Sequence, residues 1–255
     1  MKHRQFRGPI DILQVSTMTA PRAQVKAIAD IKSNRLSITV SGNIDSRSLE
    51  KLYTEIRFCV ADLQPGFEVL SDISQCNLVY IAGLPIYKKI VDFLVTSKIG
   101  ENIQIIQTQN IGSKQITTFS KAINSYTPLY AYSREEAEKR LVEIVPRDGI
   151  RLKLRHLFFE YTAPDGNGKA NVTDISVSGC AVENASLPLA MATEVECLIV
   201  FSPHPPLIDQ MRTKAVVVRV EANRFAVRFL DLDDAFKGQL YQRLAHESSR
   251  SCPLP

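Results

Sequence analysis

The stretch Pro146-Arg-Asp-Gly-Ile-Arg-Leu-Lys-Leu-Arg155 divides the sequence into two parts with different apolar patterns. Before it, apolar residues recur mostly at the 3.6-residue spacing of amphipathic helices, between shorter runs that are typical of strands. After it, apolar and polar residues alternate, as they do in half-buried strands. Pro146 and Gly149 favour a break between the two patterns. We therefore expect two domains that meet near Val145.

Six short strands and a closing helix are predicted in the second part. The first strand is expected to run without interruption over residues 150–161, and the helix over residues 231–246. Turn signals such as Pro164-Asp-Gly-Asn-Gly168 separate the strands. This pattern favours a small antiparallel β-barrel. The other five strands are predicted at residues 170–175, 181–183, 194–201, 213–220 and 225–229.

Strands and helices alternate in the first part. The run Leu36-Ser-Ile-Thr-Val-Ser-Gly42 alternates like a half-buried strand, and a helix with Asp45 or Ser46 as its N-cap is predicted to follow. This order of elements indicates a mostly parallel or mixed sheet with helices packed on it. Further strands are expected at 67–73, 103–107 and 129–132, and further helices at 83–97, 114–126 and 133–145.

Composition narrows the class of protein. The 255 residues are 45% apolar and 23% charged, which is ordinary for a globular protein and excludes a wholly disordered chain. No apolar run approaches the roughly 20 residues that span a bilayer, and no apolar segment follows the basic start of the chain, so no secretory signal is expected. Five cysteines form no CxxC pair. This favours a reducing compartment, and we expect the cytoplasm.

The net charge of +4 lies entirely in the first part. Residues 1–145 carry 18 Lys and Arg against 14 Asp and Glu, whereas residues 146–255 carry 13 of each. Neither part has the dense basic surface of a non-specific nucleic-acid binder. Nucleic-acid binding through the basic residues 1–8 is therefore only a minor alternative.

Two short motifs carry the chemistry of the second part. Arg147 and Arg151 form an RxxxR pair, and Asp174, Ser176 and Gly179 form a DxSxxG run. Their order and spacing, together with the six strands and one helix, resemble the PilZ domain family. The resemblance implies a six-stranded antiparallel barrel that binds cyclic di-GMP on its outer surface. It implies no enzyme activity, no cofactor and no metal.

The residue types suit a ligand with two phosphates and two guanines. A guanidinium can bind phosphate oxygens, or guanine O6 and N7, through two parallel charge-assisted hydrogen bonds. Asp174 can accept from the guanine N1–H and N2–H groups, and Ser176 offers a hydroxyl to phosphate or base. Gly179 has no side chain, so we expect its backbone to bend and let the ligand approach closely.

A second RxxxR pair leaves the register open. Arg151 and Arg155 have the same spacing as Arg147 and Arg151, and Arg155 is expected within the first strand, on the face that carries Arg151 and Lys153. We prefer Arg147 and Arg151, because the second arginine of the PilZ motif usually lies at the start of the strand. Arg155 is then a third ligand contact or a solvated strand residue.

The first part resembles the STAS family. The resemblance rests on Ser37-Ile-Thr-Val-Ser-Gly-Asn-Ile-Asp45, on residues 67–74 and on the order of elements. In phosphorylated members of that family a serine stands at the start of the second helix, but here Ala82 occupies that position. Alanine has no oxygen to phosphorylate, so we expect a docking or dimerisation surface without the usual phosphoswitch.

The expected organisation is an N-terminal extension (1–26), a STAS-like α/β domain (27–145), a PilZ-like β-barrel (146–247) and a tail (248–255). Four scattered histidines without HxxH spacing, and the lack of a GxGxxG or P-loop motif, argue against an enzyme. The two resemblances together imply a bacterial second-messenger receptor, in which cyclic di-GMP reorients a domain that docks an unidentified protein partner or a second copy. The alternative is a scaffold whose PilZ-like domain binds no ligand.

Overall fold

The computed structural model describes residues 22–123, 126–143 and 149–250. These residues form an α/β domain, a closed six-stranded antiparallel β-barrel and a final helix. The predicted fold class is therefore confirmed. The predicted domain boundary at residues 145–146, and with it Arg147, lies outside the described residues.

The α/β domain is built on a mixed sheet of six strands. Its order is β1-β2-β3-β5-β6, with β4 paired to the end of β2. Strand β1 is antiparallel to β2, and the other pairs are parallel. The strands are β1 (Gln24–Asp30), β2 (Arg35–Ile44), β3 (Glu68–Asp72), β4 (Cys76–Val79), β5 (Glu101–Ile105) and β6 (Leu129–Ala131), and the helices are α1 (Ser46–Ala61), α2 (Leu84–Thr96), α3 (Ile111–Ile123) and α4 (Arg134–Glu143).

Two strands of this sheet were not predicted. Strand β1 begins at Gln24, within the predicted extension 1–26, and it is an edge strand whose only large aliphatic residues are Val25 and the exposed Ile28. Strand β4 has only four residues. Neither segment has the contrast of apolar and polar positions that marks a strand in a sequence.

Helix α1 begins where the sequence places a cap. The Asp45 carboxylate accepts a hydrogen bond of 2.8 Å from the backbone N–H of Ser48, so Asp45, rather than Ser46, is the N-cap. Leu49, Leu52 and Ile56 lie on one face of the helix and are buried against the sheet.

Replacing this cap should destabilise the α/β domain. Asp45→Ala removes the acceptor for the Ser48 N–H, and we expect the free energy of unfolding to fall by about 1 kcal/mol in urea denaturation. Asp62→Ala is the matched control, because Asp62 is exposed at the other end of α1. It should change stability by less than about 0.5 kcal/mol. Equal stability of Asp45→Ala and the wild type would contradict the assignment of the cap.

The barrel closes in the order β10-β11-β12-β9-β8-β7. Phe159, Tyr161 and Phe225 meet in its interior, with ring centroids 5.3–6.0 Å apart. The strands are β7 (Phe158–Ala163), β8 (Gly166–Ser176), β9 (Gly179–Glu183), β10 (Glu194–Val200), β11 (Gln210–Glu221) and β12 (Arg224–Phe229), and helix α5 (Asp234–Arg250) follows.

The prediction of one continuous strand over residues 150–161 was wrong. Strand β7 begins only at Phe158, and the preceding segment makes a single bridge, between Leu152 and Ile175. The side-chain pattern was interpreted correctly, because Ile150, Leu152 and Leu154 are all buried. However, a turn closed by the Leu157 N–H and the Leu154 carbonyl (3.0 Å) interrupts the extended backbone. Arg155 lies in this turn and not within a strand.

Helix α5, the last element of the barrel domain, packs against helix α2 of the α/β domain. The hydroxyl of Tyr241, which is buried, donates to the carbonyl of Val95 at the end of α2. A second contact runs from the backbone N–H of Ile150 to the carbonyl of Ile99 (3.3 Å). The barrel and the α/β domain are thus in direct contact beside the predicted ligand motifs. No helix in the described ranges is long and apolar enough to cross a membrane.

Candidate functional site

The segment that carries Arg151 is fixed to the end of β8. The Leu152 N–H donates to the Ile175 carbonyl (2.8 Å), and the Ile175 N–H donates to the Leu152 carbonyl (2.9 Å). Both of these side chains are buried, so their alternating neighbours Arg151 and Lys153 face outward. The backbone of Arg151 is therefore held in place, while its side chain is 52% exposed.

A β-bulge directs Asp174 to the same side. Val172 pairs with Val182, but Asp174 pairs with Ala181, which leaves Thr173 as the extra residue. The consecutive side chains of Thr173 and Asp174 are consequently both part-buried, and the next side chain, Ile175, is buried. The Asp174 Oδ1 atom lies 3.7 Å from Nη1 of Arg151. This is an ion pair without a direct hydrogen bond, so both groups keep free hydrogen-bonding capacity for a ligand.

Ser176 is enclosed in the turn between β8 and β9. Its side chain is 4% exposed, and its hydroxyl lies 3.3 Å from both the Ser178 N–H, from which it accepts, and the Gly179 carbonyl. In this structure Ser176 shapes the turn that follows Asp174. Direct contact of its hydroxyl with a ligand stays a prediction.

Gly179 is required by the barrel itself. A Cβ atom at this position would lie 2.2 Å from the carbonyl oxygen of Val227 on β12. No flexible side chain could move aside, because the obstacle is backbone. The neighbouring strand thus approaches this backbone closely, and the close approach of a ligand to Gly179 stays a prediction.

Arg155 lies on a groove that also contains Asp174. The groove has a volume of about 250 Å³. Arg224 pairs with Glu183 at 3.1 Å, and Arg219 pairs with Glu221 at 3.4 Å. Arg155 has no acidic partner within 4.0 Å among the residues that the structure describes. The groove is lined by Arg155, Thr173, Asp174, Ala181, Val182, Glu183, Arg219, Glu221, Arg224 and Phe225.

The structure thus brings together Arg151, Arg155 and Asp174 of the predicted set and places Ser176 and Gly179 in the adjoining turn. Arg147 lies outside the described residues. Sequence reasoning missed Arg219 and Arg224, which reach the groove because β12 pairs with β9 and β11 pairs with β12. No local motif marks them.

Three of the cysteines are packed inside the protein. Cys180 lies on β9, and burial raises the pKa of its thiol well above the usual range. Burial likewise raises the pKa of Cys76 to about 11 and that of Cys197 to about 12. At neutral pH these groups are thiols and not thiolate nucleophiles. Within residues 22–123, 126–143 and 149–250, no three His, Cys, Asp or Glu side chains are grouped to hold a metal ion.

Ala82 occupies an exposed turn at the start of α2. The turn Ile81–Gly83 leads directly into this helix. The flanking Ile81 is 74% exposed and Tyr80 is 48% exposed. The hydroxyl of Ser74, between β3 and β4, donates to Asp72 (2.7 Å). The turn at Ala82 therefore presents an apolar surface, and its correspondence to the phosphorylated serine of STAS members stays a prediction.

Comparisons with known proteins bear on both domains. Residues 150–246 match the family model of the PilZ domain, which confirms the resemblance predicted for the second part. No curated protein matches the chain.

Three solved structures are similar to parts of the chain. The PilZ domain of CeSA from a cellulose-synthesizing bacterium is 16% identical, with 37% of this chain and 93% of that chain covered and a TM-score of 0.30. The PilZ domain of Escherichia coli YcgR with c-di-GMP is 14% identical, with 37% and 82% covered and a TM-score of 0.32. An uncharacterised Shewanella loihica protein with a SpoIIAA-like fold is 12% identical, with 49% and 98% covered and a TM-score of 0.40.

Proposed function

We propose that this protein is a receptor for cyclic di-GMP and that the nucleotide binds on the outside of the barrel, at Arg147, Arg151 and Asp174. The observation that carries the proposal is the fixed position of Arg151 beside Asp174 in a segment that matches the PilZ domain. A guanidinium and a carboxylate together can address both chemical parts of the ligand. The arginines bind phosphate or the Hoogsteen edge of guanine, and the carboxylate binds the N1–H and N2–H edge.

The geometry suits exchange of the internal ion pair for ligand contacts. At 3.7 Å in a half-exposed setting, the pair between Arg151 and Asp174 contributes little to stability. Opening it therefore costs little, and both groups then form shorter charge-assisted hydrogen bonds with the ligand. Arg155 supplies a further cation on the adjoining groove.

The α/β domain then transmits the signal of nucleotide binding. Nucleotide binding at the domain junction alters how the barrel contacts this domain, and the domain passes the change to a protein partner. The exposed apolar residues Tyr80 and Ile81 beside Ala82 favour a docking role. We infer a binding and signalling function rather than catalysis.

The role of Asp174 can be tested through base selectivity. Asp174→Ala should weaken binding of cyclic di-GMP by about 10-fold to 100-fold, because two guanine donors lose their acceptor. The wild type should prefer cyclic di-GMP to cyclic di-AMP, which offers no N1–H donor, and the variant should lose most of that preference. Calorimetric titration of both nucleotides measures this.

Asp165→Ala is the matched control, because Asp165 is exposed in the turn between β7 and β8, outside the groove. It should bind both nucleotides like the wild type. Unchanged selectivity in Asp174→Ala would contradict the proposed role of the carboxylate.

A further inference from the structure

A cleft of about 400 Å³ lies between the two domains. The α/β domain contributes Pro65, Gly66 and Lys98 to its walls, and the barrel domain contributes Val177, Lys237 and Tyr241, together with Asp234 and Gly238 at the start of α5. The cleft thus carries a lysine from each domain. Lys237 has an acidic neighbour, Asp234, at 3.9 Å.

Two connections link this cleft to the proposed nucleotide site. The first is Val177, which directly follows Ser176 in the turn after Asp174. The second is a hydrogen bond from the N–H of Ile150, the residue before Arg151, to the carbonyl of Ile99, the residue after Lys98 (3.3 Å). One backbone hydrogen bond therefore separates the segment of Lys98 from the segment of Arg151.

Lys98 stands at a position whose backbone favours glycine. It follows the end of α2 with a φ of +61°, in the left-handed region that non-glycine residues rarely adopt. The N–H of Ile99 donates to the Leu94 carbonyl (3.3 Å), and that of Gly66 to the Lys98 carbonyl (2.6 Å), so tertiary contacts hold this conformation. A lysine here costs stability that a glycine would not, which points to a use for its side chain.

The ammonium group of Lys98 is available in the cleft. It lies 6.0 Å from the centroid of the Tyr241 ring, at the outer limit of a cation–π contact. Among the described residues, no carboxylate lies within 4.0 Å of it. A half-buried cation without an acidic partner is a suitable contact for a phosphate oxygen.

We propose that Lys98 binds a phosphate of the nucleotide held at Arg151, so that one ligand is gripped by both domains. This inference rests on the proposed function and adds to it a contact from the α/β domain. A phosphate that contacts both Lys98 and Arg151 links the two domains through one anion. Binding thereby tightens the contact between the domains, and the α/β domain senses the ligand directly.

Lys98→Gly separates this role from a structural one. Glycine relieves the backbone strain while removing the ammonium, so the melting temperature should equal or exceed that of the wild type. The affinity for cyclic di-GMP, measured by calorimetry on the full chain, should fall about tenfold. Lys98→Arg retains the charge and should bind within about threefold of the wild type. Lys32→Gly, which removes an exposed lysine from the turn between β1 and β2, should leave the affinity unchanged.

The outcomes distinguish the two proposals. If the wild type does not bind the nucleotide, the proposed function itself fails. If the wild type binds and Lys98→Gly binds equally well, only the contact from the α/β domain is overturned. Loss of affinity in Lys98→Gly together with a lower melting temperature would also contradict it, because the effect would then be structural.

Discussion

Arg151→Ala should weaken binding of cyclic di-GMP by about 30-fold or more. The loss corresponds to about 2 kcal/mol, the range expected when a charge-assisted contact to a phosphate or guanine is removed. The backbone at Arg151 is held by the paired hydrogen bonds of Leu152 with Ile175, and the side chain is 52% exposed. The substitution should therefore leave the fold and the melting temperature unchanged. Calorimetric titration gives the affinity, and thermal unfolding checks the fold.

Substitutions of the neighbouring basic residues decide which of them carry the site. Lys153→Ala removes the other outward cation of the same segment, and because lysine lacks the planar fork of arginine, it should cost at most about threefold. Normal binding by Arg151→Ala would refute the site. If Arg155→Ala abolishes binding while Arg147→Ala binds normally, the operative pair is Arg151 and Arg155.

Gly179→Ala should destabilise the barrel by about 3 kcal/mol. The new methyl group would lie 2.2 Å from the Val227 carbonyl, so two paired strands must separate to admit it. The N–H of Phe229 also donates to the Ser178 carbonyl (2.9 Å) beside this contact, and that hydrogen bond should be strained as β12 moves. Chemical denaturation measures the loss.

Gly238→Ala is the matched control for this prediction. Gly238 lies within α5, and a Cβ atom there meets nothing within 4 Å, so the substitution should stabilise the protein by up to about 1 kcal/mol. Opposite signs for the two changes are the expected result. A neutral Gly179→Ala would show that the strands can separate at little cost and would contradict the packing role of this glycine.

Local signals in the sequence predicted most of the elements. Asp45 caps α1 as expected, and Ile90, Val91, Leu94 and Val95 form the buried face of α2. Both follow from the 3.6-residue period and from capping chemistry, which depend on near neighbours in the chain. Strand β1 was missed because the apolar Ile28 stands at one of its exposed positions, so its apolar residues do not alternate with polar ones along the strand.

The grouping of residues around the candidate site was predicted where they share a motif and missed where they do not. Asp174 and Arg151 are brought together by one bridge between Leu152 and Ile175, as the resemblance implied. The tight packing of Gly179 was not predicted, because its crowded neighbour Val227 lies 48 residues further along the chain. Lys98 belongs to the other domain, and only the packing of α2 against α5 places it near the site.

The central claim is that this chain binds cyclic di-GMP, and titration of residues 1–255 with that nucleotide tests it most directly. We predict saturable heat with a dissociation constant in the micromolar range or below, equivalent to at least about 7 kcal/mol. GMP at the same phosphate concentration should give little heat, because it has one guanine and one phosphate and cannot make all the contacts of cyclic di-GMP at once. No binding at about 100 μM cyclic di-GMP, alongside a stable complex with a protein partner, would contradict the claim and favour a scaffold that needs no ligand.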